Sequence, residues 1–428
     1  MGKFDGKTLL FLGTSVASVS MIQYARQEGA YVIVTDNLPP ERSEAKQIAD
    51  EIAAVSTRDV EALCAFARKK HVNGVLCGVS EGNLCAVQAV CQQLNLPCYF
   101  TREQWDICQD KKRFKDLCLT HGVPVPREYR IESEADRNAV HYPAIVKPTD
   151  GFAAVGISIC TSPTELMAAI ERAKSASSSG RFIVEDYVVG SEITAVYTIK
   201  NREISLSLLR DRYPSLDHEN VTAQFDASIA PSQYYQEYLT HVDPAVKKML
   251  KAIGAYAGVV FFQGIATERG IFLFECGYRM NALCDYYNLS EANGINYMHM
   301  MVNYALTGEM GDADLSRDNP NPNCLCCVFN MTAHEGIIAK LEGLEACKKL
   351  PGVIYAEFLL PVGHQIIENN SMAQSVFRAY INAENTDKLK QTIVAMQKRI
   401  RVEDRNGNNL LFLPFDVERI KNTLNEYS

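Results

Sequence analysis

Apolar and polar positions alternate in blocks along the first hundred residues. "KTLLFLGTS" predicts a strand running into a turn, and 17–28 a helix. "YVIVTD" predicts a second strand, 59–70 a helix, "NGVLCGVS" a third strand, 82–94 a helix, and "LPCYF" a fourth strand. Strands and helices alternating through short loops imply a doubly wound parallel sheet. From about 103 a helical pattern runs through "DKKRFKDLCLTHG" and stops at Gly122, Pro124 and Pro126. Strand patterns then dominate to 190: "AIVKP", "GISIC" and "RFIVEDYV", with a helix over 163–175 and the Ser-rich loop "SASSSG" after it.

Further strands follow at "EITAVYTIK", "EISLSLLR", "GVVFFQGIAT" and "GIFLFECG", with helices near 244–257 and 292–307. "RDNPNPN" is the clearest boundary signal downstream. Beyond it, "CLCCVFNM", "IYAEFLL" and "FRAYINA" predict strands of a final α/β segment. The chain thus divides into 1–100, 101–190, 191–318 and 319–428.

Composition narrows the function classes. With 428 residues and 47% hydrophobic content, the chain can bury a sizeable core. Its net charge of -8 argues against a nucleic-acid surface, which needs a clustered positive field. No apolar run approaches the roughly 20 residues that span a bilayer, and the first residues lack a signal-peptide pattern. Fourteen cysteines scattered through apolar segments read as small buried hydrophobes of a reducing, cytoplasmic compartment. Cys324, Cys326 and Cys327 lack metal-ligand spacing and read as part of a buried strand.

A dinucleotide-binding unit is disfavoured. Gly13 stands alone where G-x-G-x-x-G needs three glycines, although Asp36 ends the second strand as a ribose-binding acid would. Nor does "VKPTDGFAAVGIS" form a Walker loop, because Lys147 precedes Gly151 and Gly156 instead of following them. A lysine before a glycine turn still has a use. The turn's N–H groups reach phosphate oxygens unobstructed, and the ammonium adds a point charge.

In "RFIVEDYVVGSEI", a strand ending Glu185–Val188 offers main-chain groups to a purine edge, and Glu192 offers a carboxylate to ribose. In "FFQGIATERGIFLFECGYR", two strands and a tight turn put Gln263 beside Glu275, close enough to share a cation. Oxygen ligands with a nucleotide phosphate suit Mg²⁺, and the planar fork of Arg279 suits a carboxylate or phosphate. Taken singly, each segment also reads as a surface turn or a structural ion pair. His218, in the polar run "RDRYPSLDHENVTAQF", is the histidine placed to lie over a substrate.

Taken in order, "DKKRFKDLCLTHGVPVP", "YPAIVKPTDGFAAVGIS", "VEDYVVGSE" and "FECGYR" resemble the ATP-grasp superfamily over most of the chain. The resemblance implies an N-terminal pre-ATP-grasp sheet over 1–100 and a linker and small ATP lobe over 101–190. A large lobe follows over 191–318, and a C-terminal α/β segment over 319–428 completes it. It implies that Lys111 and Lys147 hold ATP phosphates, and that the Gly151–Gly156 loop covers them through its backbone, Ala154 included. Glu185 and Val188 would meet adenine through main-chain atoms, and Glu192 would bind ribose. Gln263 and Glu275 would hold Mg²⁺, with Mn²⁺ as a substitute. Arg279 would hold the carboxylate or acyl phosphate and, with Lys147, form the catalytic pair.

The implied reaction joins a small-molecule carboxylate to an amine, as in L-amino-acid ligases; homodimers are common in this fold. A bicarbonate-activating carboxylase and a non-catalytic ATP-binding protein stay open. The sequence departs from the family's Glu-x-Asn-x-Arg at Gly277, and Asn281-Ala282 follows where Ser/Gly-Gly is common.

Overall fold

A computed structural model describes residues 2–151, 155–215 and 224–422. The N-terminal alternation folds into a four-stranded parallel sheet, ordered Glu51–Ile52, Tyr31–Thr35, Thr8–Leu12, Gly74–Cys77. Helices Ser18–Gln27, Val60–Lys69 and Glu81–Leu94 connect along it. Leu9–Leu12 and Val32–Val34 are buried without interruption, as expected of parallel strands covered by helices. "LPCYF" does not form the expected strand. Tyr99 and Phe100 instead turn inward, with ring centroids 6.0 and 6.2 Å from Tyr278. Packing of these rings, rather than a ladder, is what buries the segment.

The helix expected from 103 onward is two helices, Arg102–Gln109 and Lys111–His121. Asp110 breaks them because it is extended (φ -93°, ψ 110°) and its carboxylate caps the second helix, accepting from the N–H of Lys112 and Arg113. Gly122, at φ +75°, ends that helix in the left-handed cap only glycine adopts cheaply.

A second, antiparallel sheet follows, ordered Glu128–Tyr129, Phe182–Asp186, Ala144–Pro148, Ser158–Cys160. Helix Pro163–Ala176 is capped by Ser162 and starts with proline. It buries Leu166, Ala169, Ile170 and Ala173, spaced along one helical face, in a separate small core with Val146 and Val184.

The largest element is an eight-stranded antiparallel sheet. Its order is Gly270–Gly277, Gly258–Thr267, Ser191–Lys200, Glu203–Pro214, Phe225–Ala230, Leu325–Thr332, Ser375–Ala383, Val353–Phe358. The last three strands, all beyond "RDNPNPN", extend the sheet rather than start a new one. Strand Phe225–Ala230 and helix Thr386–Arg399 were not among the expected elements. Cys326 and Cys327 take adjacent positions on Leu325–Thr332 and so point to opposite faces. Among the described residues, no three His, Cys, Asp or Glu side chains form a metal-holding group, and no helix is long and apolar enough to cross a membrane.

Candidate active site

The small-lobe sheet carries a buried charge cluster. Lys147 lies on Ala144–Pro148 and Glu185 on the neighbouring strand, and Lys147 Nζ donates to Glu185 Oε2 at 2.9 Å. The other carboxylate oxygen, Oε1, accepts from Lys115 Nζ, which reaches down from helix Lys111–His121. Lys147 is 7% exposed, Glu185 3% and Lys115 3%. Burial pushes the Glu185 carboxyl up, but the ammonium groups of Lys147 and Lys115 outweigh it and hold it below the ordinary glutamate range. This placement corrects the expectation that Glu185 meets adenine through its backbone. Its main chain lies inside the ladder, facing Ile145 on one side and Glu128 on the other. The strand ends at Asp186, and Val188 sits in the link before Ser191, outside both sheets.

Lys111 stands at the mouth of the cluster. Its N–H donates to Thr149 O at 2.8 Å and its Nζ to Gly151 O at 2.5 Å. Asp150 fastens the same turn to the Ser-rich loop, accepting from Ser177 Oγ at 2.6 Å, Ser178 Oγ at 2.5 Å and Ser179 N–H at 3.0 Å. Burial disfavours its charge, yet these donors take its pKa down to about 2. Gly156 has φ +78°, and a Cβ there would lie 2.5 Å from Ala176 Cβ. Ala154 and His218 lie outside the described residues.

The edge of the large sheet closes the other side. Gln263 pairs directly with Glu275, and then the register slips so that Gly264 faces Leu273. Phe274 is therefore the extra residue of a β-bulge. The bulge decides where Glu275 points. Ile271 and Leu273 are buried in alternation, and an unbroken strand would put Glu275 on their face. Instead Phe274 and Glu275 are both half-buried on the open side, and the Phe274 ring centroid lies 5.2 Å from Lys147 Nζ. The bulge residue is thus where the strand of Glu275 meets Lys147. Glu275 has no ion-pair or hydrogen-bond partner among the described residues. One free carboxylate and one amide fit a cation that takes its remaining ligands from phosphate and water.

Two rungs on, past Phe262–Cys276, the pair is apolar. Phe261 faces Gly277, and a Cβ on Gly277 would approach the Phe261 ring to 2.5 Å. The ring fills the space that an asparagine would need. Arg279 rests on the same ring, its guanidinium 4.9 Å from the centroid. It donates to Glu81 Oε1 at 2.8 Å, at the start of helix Glu81–Leu94, and to Met280 O at 3.0 Å. Its buried Nε has no acceptor among the described residues. Glu192 sits farther along the sheet, taking a 2.7 Å hydrogen bond from Arg212 Nη1. Asp36 is fully engaged by Lys46 at 3.0 Å, Thr14 at 2.7 Å and Ser43 at 2.6 Å, which leaves no oxygen for a ribose.

Lys147, with Lys111 and Gly151 at the turn after its strand, therefore meets the strand of Glu275 at the Phe274 ring, and Arg279 faces the N-terminal sheet. Sequence reading missed Lys115, Glu81 and Phe261. Only Lys115 carried a signal, four residues after Lys111 and so on the same helix face.

Residues 125–303 match the sequence model of the family described as D-ala D-ala ligase C-terminus. The D-alanine–D-alanine ligase of Halalkalibacterium halodurans is 28% identical over 178 residues, 39% of this chain and 58% of that protein. The formate-dependent phosphoribosylglycinamide formyltransferase of Prochlorococcus marinus is 24% identical over 60% of this chain and 66% of its own length. The chain thus spans less than two thirds of these relatives. Phosphoribosylglycinamide synthetase from Anaerococcus prevotii superposes with a TM-score of 0.74 at 18% identity, covering 93% of this chain and 100% of that one. L-amino acid ligase from Bacillus licheniformis gives 0.74 at 16% identity over 94% and 100%. The ATP-grasp resemblance is borne out.

Proposed function

From its ATP-grasp fold and the cleft built on it, we propose that the protein is an ATP-dependent carboxylate–amine ligase. The observation that carries this reading is the Phe274 ring 5.2 Å from Lys147 Nζ, which brings the lysine strand to the residue beside the half-buried Glu275. In this reading Lys147 and Lys111 hold the phosphates, and the link at Val188 offers its main chain to adenine. Glu192, turned from Arg212, takes a ribose hydroxyl. Gln263 and Glu275 would hold Mg²⁺ or Mn²⁺, which supplies neutralisation of phosphate charge.

A substrate carboxylate oxygen attacks the γ-phosphorus while the bond to the β–γ bridging oxygen breaks, giving an acyl phosphate and ADP. The amine then displaces phosphate and yields an amide. No side chain forms a covalent bond, so the protein's work is alignment and charge compensation. Arg279, with an unused buried Nε donor, orients the carboxylate or acyl phosphate. The reading places the protein in the cytoplasm, where its fourteen thiols stay reduced, and makes a homodimer the assembly to look for.

Phosphate release with Mg-ATP, measured against pools of carboxylates and amines with hydroxylamine present, tests the reading. Release that needs a carboxylate, with a hydroxamate trapped, supports the ligase; release driven by bicarbonate replaces it with a carboxylase. ATP binding without turnover in any pool favours a non-catalytic protein, the second reading. The apolar Phe261–Gly277 rung, two rungs from Glu275, is the feature that favours it.

A further inference from the structure

Among the described residues, Glu185 is the only carboxylate bonded to Lys147, and it shares itself between two ammonium groups. If Lys147 turned to a phosphate with nothing else present, a carboxylate 3% exposed would be stranded, at a cost of several kcal/mol. The lysine would then stay captive. Lys115 removes that obstacle. It is on the buried face of its helix with Phe114 and Cys118 and holds the opposite oxygen of Glu185. Around it, Glu128 pairs in register with Glu185 and lies 3.9 Å from Lys115 and 3.4 Å from Lys112. Lys112 is also held by Asp116 at 2.6 Å, so when Lys147 turns away Lys115 is the ammonium group left on Glu185 itself.

We propose that Lys115 is a positioning residue that keeps Glu185 compensated, so that Lys147 is free to move to a nucleotide phosphate. The proposal rests on the reading of Lys147 as a phosphate ligand. It predicts an affinity set by a residue that does not touch the nucleotide.

Mg-ATP titrations by calorimetry on the full chain test it, with thermal melts of each variant as folding control. Lys115→Met is expected to weaken Mg-ATP binding by about tenfold or more, equivalent to about 1.4 kcal/mol. Adding Glu185→Gln to Lys115→Met should restore affinity to within about threefold of wild type, and Lys115→Arg should bind normally. A residue serving stability alone would move the melts without this rescue. In a Lys147→Ala background, Lys115→Met should have no further effect. Should Lys115→Met not fold, Lys115→Gln gives the same charge loss while keeping a donor to Glu185. Normal affinity in the neutral variants overturns the proposal, as does weak binding that Glu185→Gln fails to rescue. Unchanged binding in Lys147→Ala overturns the phosphate-ligand reading itself, a result separable from the first two.

Discussion

Two glutamates on the two sheets that meet at Phe274 have opposite electrostatic surroundings. Glu185 is buried between two ammonium groups that hold its carboxyl below the ordinary range. Glu275 is half-buried with no partner among the described residues. A third carboxylate, Asp211, lies between these extremes, buried among neutral donors from Ser232 and Gln233, and it titrates at about 6. The difference teaches where the cleft expects charge to arrive. The lysine cluster is compensated before any ligand binds, whereas Glu275 has no cationic partner among the described residues, which in the proposed reading leaves it to a cation that arrives with phosphate.

Breaking that asymmetry should have graded effects. The largest is expected for Glu275→Gln, which should abolish phosphate release, a loss of roughly 10²–10³ or more, while Mg-free nucleotide binding stays near wild type. Single-turnover kinetics beside calorimetry check this; normal turnover would remove Glu275 from the site. Next, Lys147→Ala should cost roughly 2–4 kcal/mol of transition-state stabilisation, the scale of one charged donor. That loss should be read from kcat/KM for ATP, and an unchanged value would detach the cluster from phosphate binding.

The apolar rung gives a smaller effect. Gly277→Asn should destabilise the fold by roughly 1–3 kcal/mol, because its Cβ meets the Phe261 ring. Shrinking that ring with Phe261→Ala should recover part of the loss in urea melts. If Gly277→Asn melts like wild type, the ring does not fill the space.

The smallest effect concerns Asp211. Burial raises its pKa from 3.8 to about 6, so its contribution to stability is fully present below pH 4 and is lost as pH rises through 6. Asp211→Asn cannot lose this contribution, so its Tm relative to wild type should rise between pH 4 and 7, by on the order of a degree or two. A pH-independent difference would mean that Asp211 titrates normally.

Much of this was legible along the chain. Strand and helix alternation located the N-terminal sheet, and Gly122 marked a helix end through its left-handed cap. "AIVKP" and the paired strands around 263 and 275 located both walls. "LPCYF" misled because an aromatic run satisfies burial equally well as a plug of packed rings. Helix Thr386–Arg399 escaped notice although its buried Leu389, Ile393 and Met396 follow helical spacing.

By itself, the sequence determined which residue types stand at which steps of the local repeat, because hydrophobic period and turn chemistry are short-range properties. Tertiary structure alone decided how those residues meet. Lys115 and Glu185, 70 positions apart, form one cluster, and Arg279 reaches Glu81 across 198 positions. Most decisive is the bulge at Phe274. A local count of alternation points Glu275 into the core, and only pairing with the Gln263 strand adds the extra residue that turns it off the face of Ile271 and Leu273.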